Sequence, residues 1–318
     1  MTNPVSRRSF LQHSGVAAAA AATAGLALRP VAAAVPAEKN SAVPVRVPEK
    51  TFVDLAIATI CTDGFENKRH EPAFRLIPEI GVRNVEFNVW FADTITPNYF
   101  RGLKERSARA GLRPVCVQGS SFGGEGAGGV LKDVGHKLAL MYGARELGCR
   151  RVKCTGAARG TQGGLKTVIE VCKELAPAAK ELDMLILLEN HAKNVLETIA
   201  DYEEIFAAID SPHIAMCCDV AHFWGSGDSG IDPVKVIDKF HSRIRHVDLK
   251  DNRTRGGGHD VVPYGEGITD FPAILESLRA KNYAGYLLLE MAWRQPREPV
   301  VANLIKGRNM FQSYVRAP

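Results

Sequence analysis

Leu185-Ile186-Leu187-Leu188-Glu189-Asn190-His191 and Ile214-Ala215-Met216-Cys217-Cys218-Asp219-Val220-Ala221-His222 decide the architecture. Each is an aliphatic-rich run that ends on a carboxylate, and neither alternates apolar with polar residues. A run of this kind marks a strand buried on both faces, as in a parallel sheet covered by helices. Between the two, residues 194–209 carry a helical period, so the local unit is strand, helix, strand.

The same unit recurs on both sides. Further strands are predicted at Phe52–Ile60, Asn84–Phe87, Arg113–Gln118, Arg151–Cys154, Ile244–Leu249 and Tyr286–Glu290, besides Leu185–Glu189 and Ile214–Asp219. Helices are predicted near 71–80, 97–110, 130–147, 164–182, 194–209, 232–240, 270–281 and 300–315. Thr269-Asp270-Phe271-Pro272 has the form of a helix start, and Ala110-Gly111 and Leu147-Gly148 the form of helix stops. Eight βα units in about 270 residues predict an α/β fold, a closed (β/α)8 TIM barrel, because an open doubly wound sheet usually ends after about five to seven strands. The glycine runs Gly123–Gly129 and Gly256–Gly258 lack the spacing of a phosphate cradle and are expected to be flexible βα loops.

In such a barrel the chemistry gathers at the carboxyl ends of the strands. Four consecutive strands end there in charge: Glu189, Asp219, the series His246-Val247-Asp248-Leu249-Lys250, and Glu290 after Tyr286-Leu287-Leu288-Leu289. Strand alternation puts His246, Asp248 and Lys250 on one face, expected to look into the barrel mouth. A single acid after a strand has an ordinary explanation as a helix cap or a surface ion-pair partner. Four on one rim would repel strongly at low dielectric unless a cation neutralised them, and an oxygen-rich set suits Mn2+, Mg2+ or Co2+.

The first fifty residues read differently. Ser6-Arg7-Arg8-Ser9-Phe10-Leu11, the alanine-rich stretch after it and Ala32-Ala33-Ala34 resemble a bacterial twin-arginine (Tat) signal peptide over residues 1–34. That resemblance implies passage through the Tat export machinery, a periplasmic or secreted protein, and no stable membrane insertion after processing. Residues 35–50, with three prolines and no amphipathic period, are predicted to be an extended linker, so the barrel occupies 51–318. Of the 40 basic residues only Arg7, Arg8 and Arg29 precede residue 35, which leaves 37 against 35 acidic side chains. A nearly neutral chain has no electrostatic footprint for nucleic acid. Seven cysteines without a CxxC pair are expected to be buried free thiols rather than a disulfide framework or a structural zinc site. The sequence is compatible with a homo-oligomer and does not specify one.

Taken in order, Leu-Glu-Asn-His at 188–191, Asp-Val-Ala-His at 219–222, His-Val-Asp-Leu-Lys-Asp at 246–251, Gly-Glu-Gly at 265–267 and Leu-Glu at 289–290 resemble the sugar phosphate isomerase/epimerase group of xylose isomerase-like TIM barrels. The resemblance covers the whole barrel segment. It implies one divalent metal, Mn2+ first and Mg2+, Co2+ or Zn2+ as alternatives, held by Glu189, Asp219, Asp248 and Glu290. Asp248 stands where the group's pattern has a second histidine, so His246 is the alternative fourth ligand. The resemblance further implies Glu189 and Glu290 as the catalytic acid–base pair and a small-molecule sugar as substrate. His222, His246, Glu86, Lys153, Lys250 and Trp293 are expected to contact that substrate, with Trp90 a weaker candidate. The reaction expected is isomerisation or epimerisation of a non-phosphorylated sugar or keto-sugar by α-proton abstraction. The alternatives are β-elimination from a keto-glycoside or inosose, and a non-catalytic sugar-binding barrel.

Overall fold

The structure, a computed structural model, describes residues 51–123, 126–258, 260–291 and 300–316. Its elements run β1 (Asp54–Ala58), α1 (Ile60–Asp63), α2 (Glu71–Ile80), β2 (Asn84–Asn88), α3 (Pro97–Arg109), β3 (Arg113–Gln118), α4 (Gly126–Leu147), β4 (Arg151–Thr155), α5 (Gly164–Glu181) and β5 (Leu185–Glu189). They continue through α6 (Ile199–Ala208), β6 (Ile214–Asp219), α7 (Val220–Trp224), α8 (Pro233–Phe240), β7 (Ile244–Leu249), β8 (Asp251–Asn252), β9 (Val261–Val262), α9 (Phe271–Ala280), β10 (Tyr286–Leu289) and α10 (Val300–Phe311). Eight parallel strands close in the order β1-β10-β7-β6-β5-β4-β3-β2, the barrel that the recurring unit predicts. The predicted Tat segment, the linker and Trp293 lie outside the described residues.

Closure follows from the aliphatic runs. β6 is buried at all six positions, and β5 at four of five, because helices cover the outer face while side chains fill the inner one. The outer layer is stitched to the strands by buried tyrosines: Tyr202 donates its hydroxyl to the Leu188 carbonyl at 3.0 Å and Tyr264 to that of Leu249 at 2.7 Å. Helix starts obey their caps. Asp270 accepts the amide of Ala273, and Asp232 accepts that of Val234.

Several boundaries differ from expectation, each for a local reason. The helix predicted from 194 begins at Ile199, because Thr198 and Asp201 form a reciprocal capping box. The helix predicted from 130 begins at Gly126, inside the glycine run expected to be a loop. The first strand stops at Ala58, since Asn88 Oδ1 accepts the Ile60 amide and the chain turns into α1. The last barrel strand stops one residue early, at Leu289, and Glu290 follows it. The run 256–258 is not slack: its three amides donate to the carbonyls of Trp224, Gly227 and Gly225, and all three glycines have positive φ. A Cβ at Gly256 would lie 2.1 Å from the Asp228 carbonyl oxygen, a position no other residue can fill. The antiparallel pair β8–β9 and the short helix α7 have no counterpart in the predicted pattern. All seven cysteines are buried and unpaired.

Candidate metal-binding centre

Side chains from β2, β4, β7 and β10 touch one another, although these strands are not all neighbours in the sheet, so the contacts cross the lumen. Glu189, Asp219, Asp248 and Glu290 each offer an oxygen, and the four oxygens lie within 4.8 Å of one another. Glu189, Asp219 and His222 form a second such group. Every residue of the cluster is at most 2% exposed.

Two ammoniums thread this acidic bowl. Lys153, from β4, lies 2.6 Å from Asp248 Oδ2, 2.8 Å from Glu86 Oε1, 3.1 Å from Glu290 Oε2 and 3.9 Å from Glu189 Oε2. Lys250, just beyond β7, lies 2.5 Å from Asp219 Oδ2 and 2.8 Å from Glu290 Oε1. Both oxygens of Glu290 are therefore held by ammoniums. Burial alone would push its carboxyl up, but the two lysines outweigh burial and hold it well below the usual carboxylate range. Glu189 is different. Burial is the larger influence there and, with Glu290 and Asp219 adding to it, pushes the carboxyl up to about 8 against the pull of the lysines. Burial pushes Asp248 and Glu86 up as well, so of these four carboxyls Glu290 alone is pulled down.

Asp219 shows that the ordinary and the functional explanations of a strand-end acid are not exclusive. Its Oδ1 accepts the His222 amide at 3.0 Å and caps α7, while its Oδ2 faces Lys250. The Asn190 side chain grips the Asp219 backbone from both sides, accepting its amide at 2.7 Å and donating to its carbonyl at 2.9 Å. The His222 ring packs on that of His191, centroids 3.7 Å apart, with its Nε2 3.8 Å from Asp219 Oδ2. A cavity of about 470 Å³ borders this point, lined by His191, Lys193, Asn194 and Gly258 among others.

His246, the alternative fourth ligand, stays out of the convergent set. Its register partner is Cys217, whereas that of Asp248 is Asp219, so it sits one layer deeper. Its Nε2 is 3.5 Å from Glu86 Oε2, neither ring nitrogen has a hydrogen-bond partner, and burial with the nearby Lys153 lowers its pKa well below the ordinary value, leaving a neutral imidazole. Glu86, Lys153 and His246, expected to reach a substrate, have no accessible surface, because they occupy one another in the lumen. Trp90 lies elsewhere on the loop after β2, stacked on Phe65.

Sequence reasoning overlooked a neutral relay. Thr59 donates to Asn88 Oδ1 at 2.9 Å, Asn88 donates to Gln118 Oε1, and Gln118 donates to Glu189 Oε2 at 3.0 Å. The signal was present, since β2 and β3 end in an amide residue as the later strands end in acids. The Gly-Glu-Gly motif also has a structural duty: Asp251 Oδ2 accepts the amides of Gly265 and Gly267 at 2.8 and 3.0 Å, and its Oδ1 accepts that of Thr269 at 3.2 Å. This wrap holds the segment that follows Lys250.

Comparison with known proteins agrees with the architecture. The family described as xylose isomerase-like TIM barrel matches residues 74–313, and the twin-arginine translocation pathway signal sequence matches residues 4–24. Among the described residues, no helix is long and apolar enough to cross a membrane. An inosose dehydratase of Clostridium perfringens is 28% identical over 167 residues, 48% of this chain and 54% of that protein, so the chain matches about half the length of this relative. Two solved structures share the fold: 3-keto-D-glucoside 4-epimerase from E. coli, at 18% identity and a TM-score of 0.63, covering 83% of this chain and 99% of that one, and the IolI protein with a bound zinc atom, at 17% and 0.66, covering 82% and 97%. With a family match that spans most of its length and the closed barrel that family requires, the chain belongs to the xylose isomerase-like TIM barrels.

Proposed function

We propose that this protein is a Tat-exported isomerase or epimerase that depends on one divalent metal and acts on a non-phosphorylated sugar or keto-sugar by removing a proton next to a carbonyl. The observation that carries this reading is the convergence of Glu189, Asp219, Asp248 and Glu290 on one buried point. These residues suit an ion: buried Asp248 Oδ1 has no hydrogen-bond partner, and two ammoniums leave five neighbouring carboxylates under-neutralised. An all-oxygen donor set favours Mn2+ or Mg2+ over a thiolate-seeking metal. Bound there, the ion supplies Lewis acidity to vicinal oxygens of a hydroxy-carbonyl substrate.

The side chains do the rest. Gln118 fixes Oε2 of Glu189, which leaves Oε1 as the atom that takes or returns the proton. Glu290 stands as the opposing carboxylate, steadied by Lys153 and Lys250. His222, bordering the cavity through His191, and Lys250 hold substrate hydroxyls. Trp293, expected from the resemblance to contact the substrate, would supply an apolar platform for sugar C–H faces. Export supports a sugar without phosphate, since sugar phosphates are cytoplasmic metabolites, and it places the enzyme in the periplasm or outside the cell.

Isomerisation, epimerisation and β-elimination share the first proton removal. The similarity to inosose dehydratases favours elimination as the second reading. The test is incubation of the Mn2+-loaded protein with ketoses, inososes and 3-keto-glycosides in D2O. Deuterium at the carbon beside the carbonyl, absent from the Glu290→Gln variant, is the expected result, and a dehydrated product identifies the lyase. Sugar binding with neither exchange nor dehydration on any substrate leaves a binding protein and overturns the enzymatic reading.

A further inference from the structure

The two ammoniums in the bowl are not equivalent. Lys250 lies at the strand ends, just beyond β7, close to Asp219 and Glu290. Lys153 starts from the middle of β4, has no accessible surface, and meets acids from β2, β5, β7 and β10 at 2.8, 3.9, 2.6 and 3.1 Å. Among the described residues the only other basic side chain within 4 Å of Glu86 or Asp248 is His246, whose Nε2 lies 3.5 Å from Glu86 Oε2 and 3.4 Å from Asp248 Oδ1.

We infer that Lys153 is a built-in cation of the centre: it takes one oxygen each of Glu86, Asp248 and Glu290, and so confines the bowl to a single divalent ion. The inference rests on the metal-site reading above. With all five acids ionised, two ammoniums leave three uncompensated negative charges, which one divalent ion reduces to one. Without Lys153 the deficit is four, in a region where burial makes each unpaired charge costly. The acids would then need a second ion, or protons, to stay together. Space agrees on that side of the bowl, because the ammonium at 2.6 Å from Asp248 and 2.8 Å from Glu86 occupies the point between those two acids. Lysine suits the task better than arginine, since a compact point charge on a flexible stem can meet acids from several directions at once. The same contacts set the donor geometry: with Oδ2 of Asp248 committed to Lys153, Oδ1, a buried atom that makes no hydrogen bond and lies 3.4 Å from His246 Nε2, is left for the ion. Lys153 is on this account a positioning residue, not a substrate contact.

The test uses the full chain without its signal, stripped with a chelator and titrated with MnCl2. Its readouts are the melting temperature by calorimetry, the bound metal per chain by elemental mass spectrometry, and affinity by titration calorimetry. Wild type is expected to take up one Mn2+ per chain. Lys153→Met should lower the metal-free melting temperature by about 10 °C, as expected for an orphaned buried charge cluster. It should also either bind a second Mn2+ or bind the first about tenfold more tightly. Lys153→Met with Glu86→Gln removes one charge of each sign, and should recover most of the lost stability and return to one ion at near wild-type affinity. If Lys153→Met does not fold without metal, the double variant carries the test. Lys153→Met that keeps wild-type stability, stoichiometry and affinity overturns the inference, as does a double variant no more stable than the single one. A wild-type protein that takes up no Mn2+ sinks the metal-site reading instead, and the metal-free melting temperatures of the two variants still decide whether Lys153 holds the acids together.

Discussion

The two halves of the barrel bring different chemistry to one bowl. β5, β6, β7 and β10 deliver Glu189, Asp219, Asp248 and Glu290. The ends of β1, β2 and β3 deliver Thr59, Asn88 and Gln118, neutral groups linked hand to hand, and β4 delivers Lys153. Glu86 is the acid that the first half brings to the bowl, and it lies against Lys153. The division has a physical reason. Carboxylates that must share a small dry volume cannot be oriented by further charges of their own sign, whereas amides and hydroxyls fix an oxygen without adding to the repulsion. The second half therefore supplies the converging carboxylates, and the first half fixes which way Glu189 faces.

The largest effect expected breaks this division at its centre. Glu189→Gln should lower solvent deuterium exchange by about 10²–10⁴-fold, the range typical of a lost proton-transfer group. Gln118→Leu removes only the donor to Oε2 and should cost about 10–100-fold, the usual range for a partner that orients a ligand. Exchange rates measured side by side on the two variants check the comparison. Equal losses would mean that the relay takes part in the reaction, and the contrast between the halves would fall.

Much of this division was legible in the sequence, and the rest was not, for identifiable reasons. Three aliphatic-rich runs ending in Glu189, Asp219 and Glu290, and the alternation that puts Asp248 on one face with His246 and Lys250, point to both strands and candidate site, because a buried acid in a strand demands compensation. Gln118 and Asn88 announce less: a neutral amide at a strand end costs little, so it raises no alarm until its partner in another strand is known. Lys153 was visible as an unusual residue in a strand, but its neighbours lie on β2, β5, β7 and β10, and only closure of the barrel brings them together. The choice between Asp248 and His246 depends on register, which sets one level with Asp219 and the other a layer deeper. Composition carries no information about register.

A smaller effect sharpens the contrast from outside the bowl. Asp251→Ala removes the buried carboxylate that accepts the amides of Gly265, Gly267 and Thr269 in a half-exposed loop, which should cost about 2 kcal/mol of stability. Chemical denaturation of the metal-free protein measures this. Mn2+ affinity should fall as well, since the same loop holds the segment after Lys250, and a stability loss with unchanged affinity would separate the loop from the centre.

The smallest effect belongs to the helix whose start the periodicity misplaced. Thr198 and Asp201 cap α6 reciprocally, and Asp201 Oδ2 also accepts the Glu197 amide at 3.0 Å and pairs with Arg159 at 2.5 Å. Thr198→Ala removes the acceptor for one amide of the first turn and leaves the Asp201 contacts in place, so it should cost about 1 kcal/mol, the typical value for a lost cap. Equilibrium unfolding reads that loss directly. Deuterium exchange should be unchanged, because the cap orients α6 outside the barrel while the Glu189 oxygen is set from inside, through Gln118. A drop in exchange beyond the drop in folded protein would show that the β5–α6 loop, with His191 and Asn194 on the cavity, transmits the helix's position to the bowl.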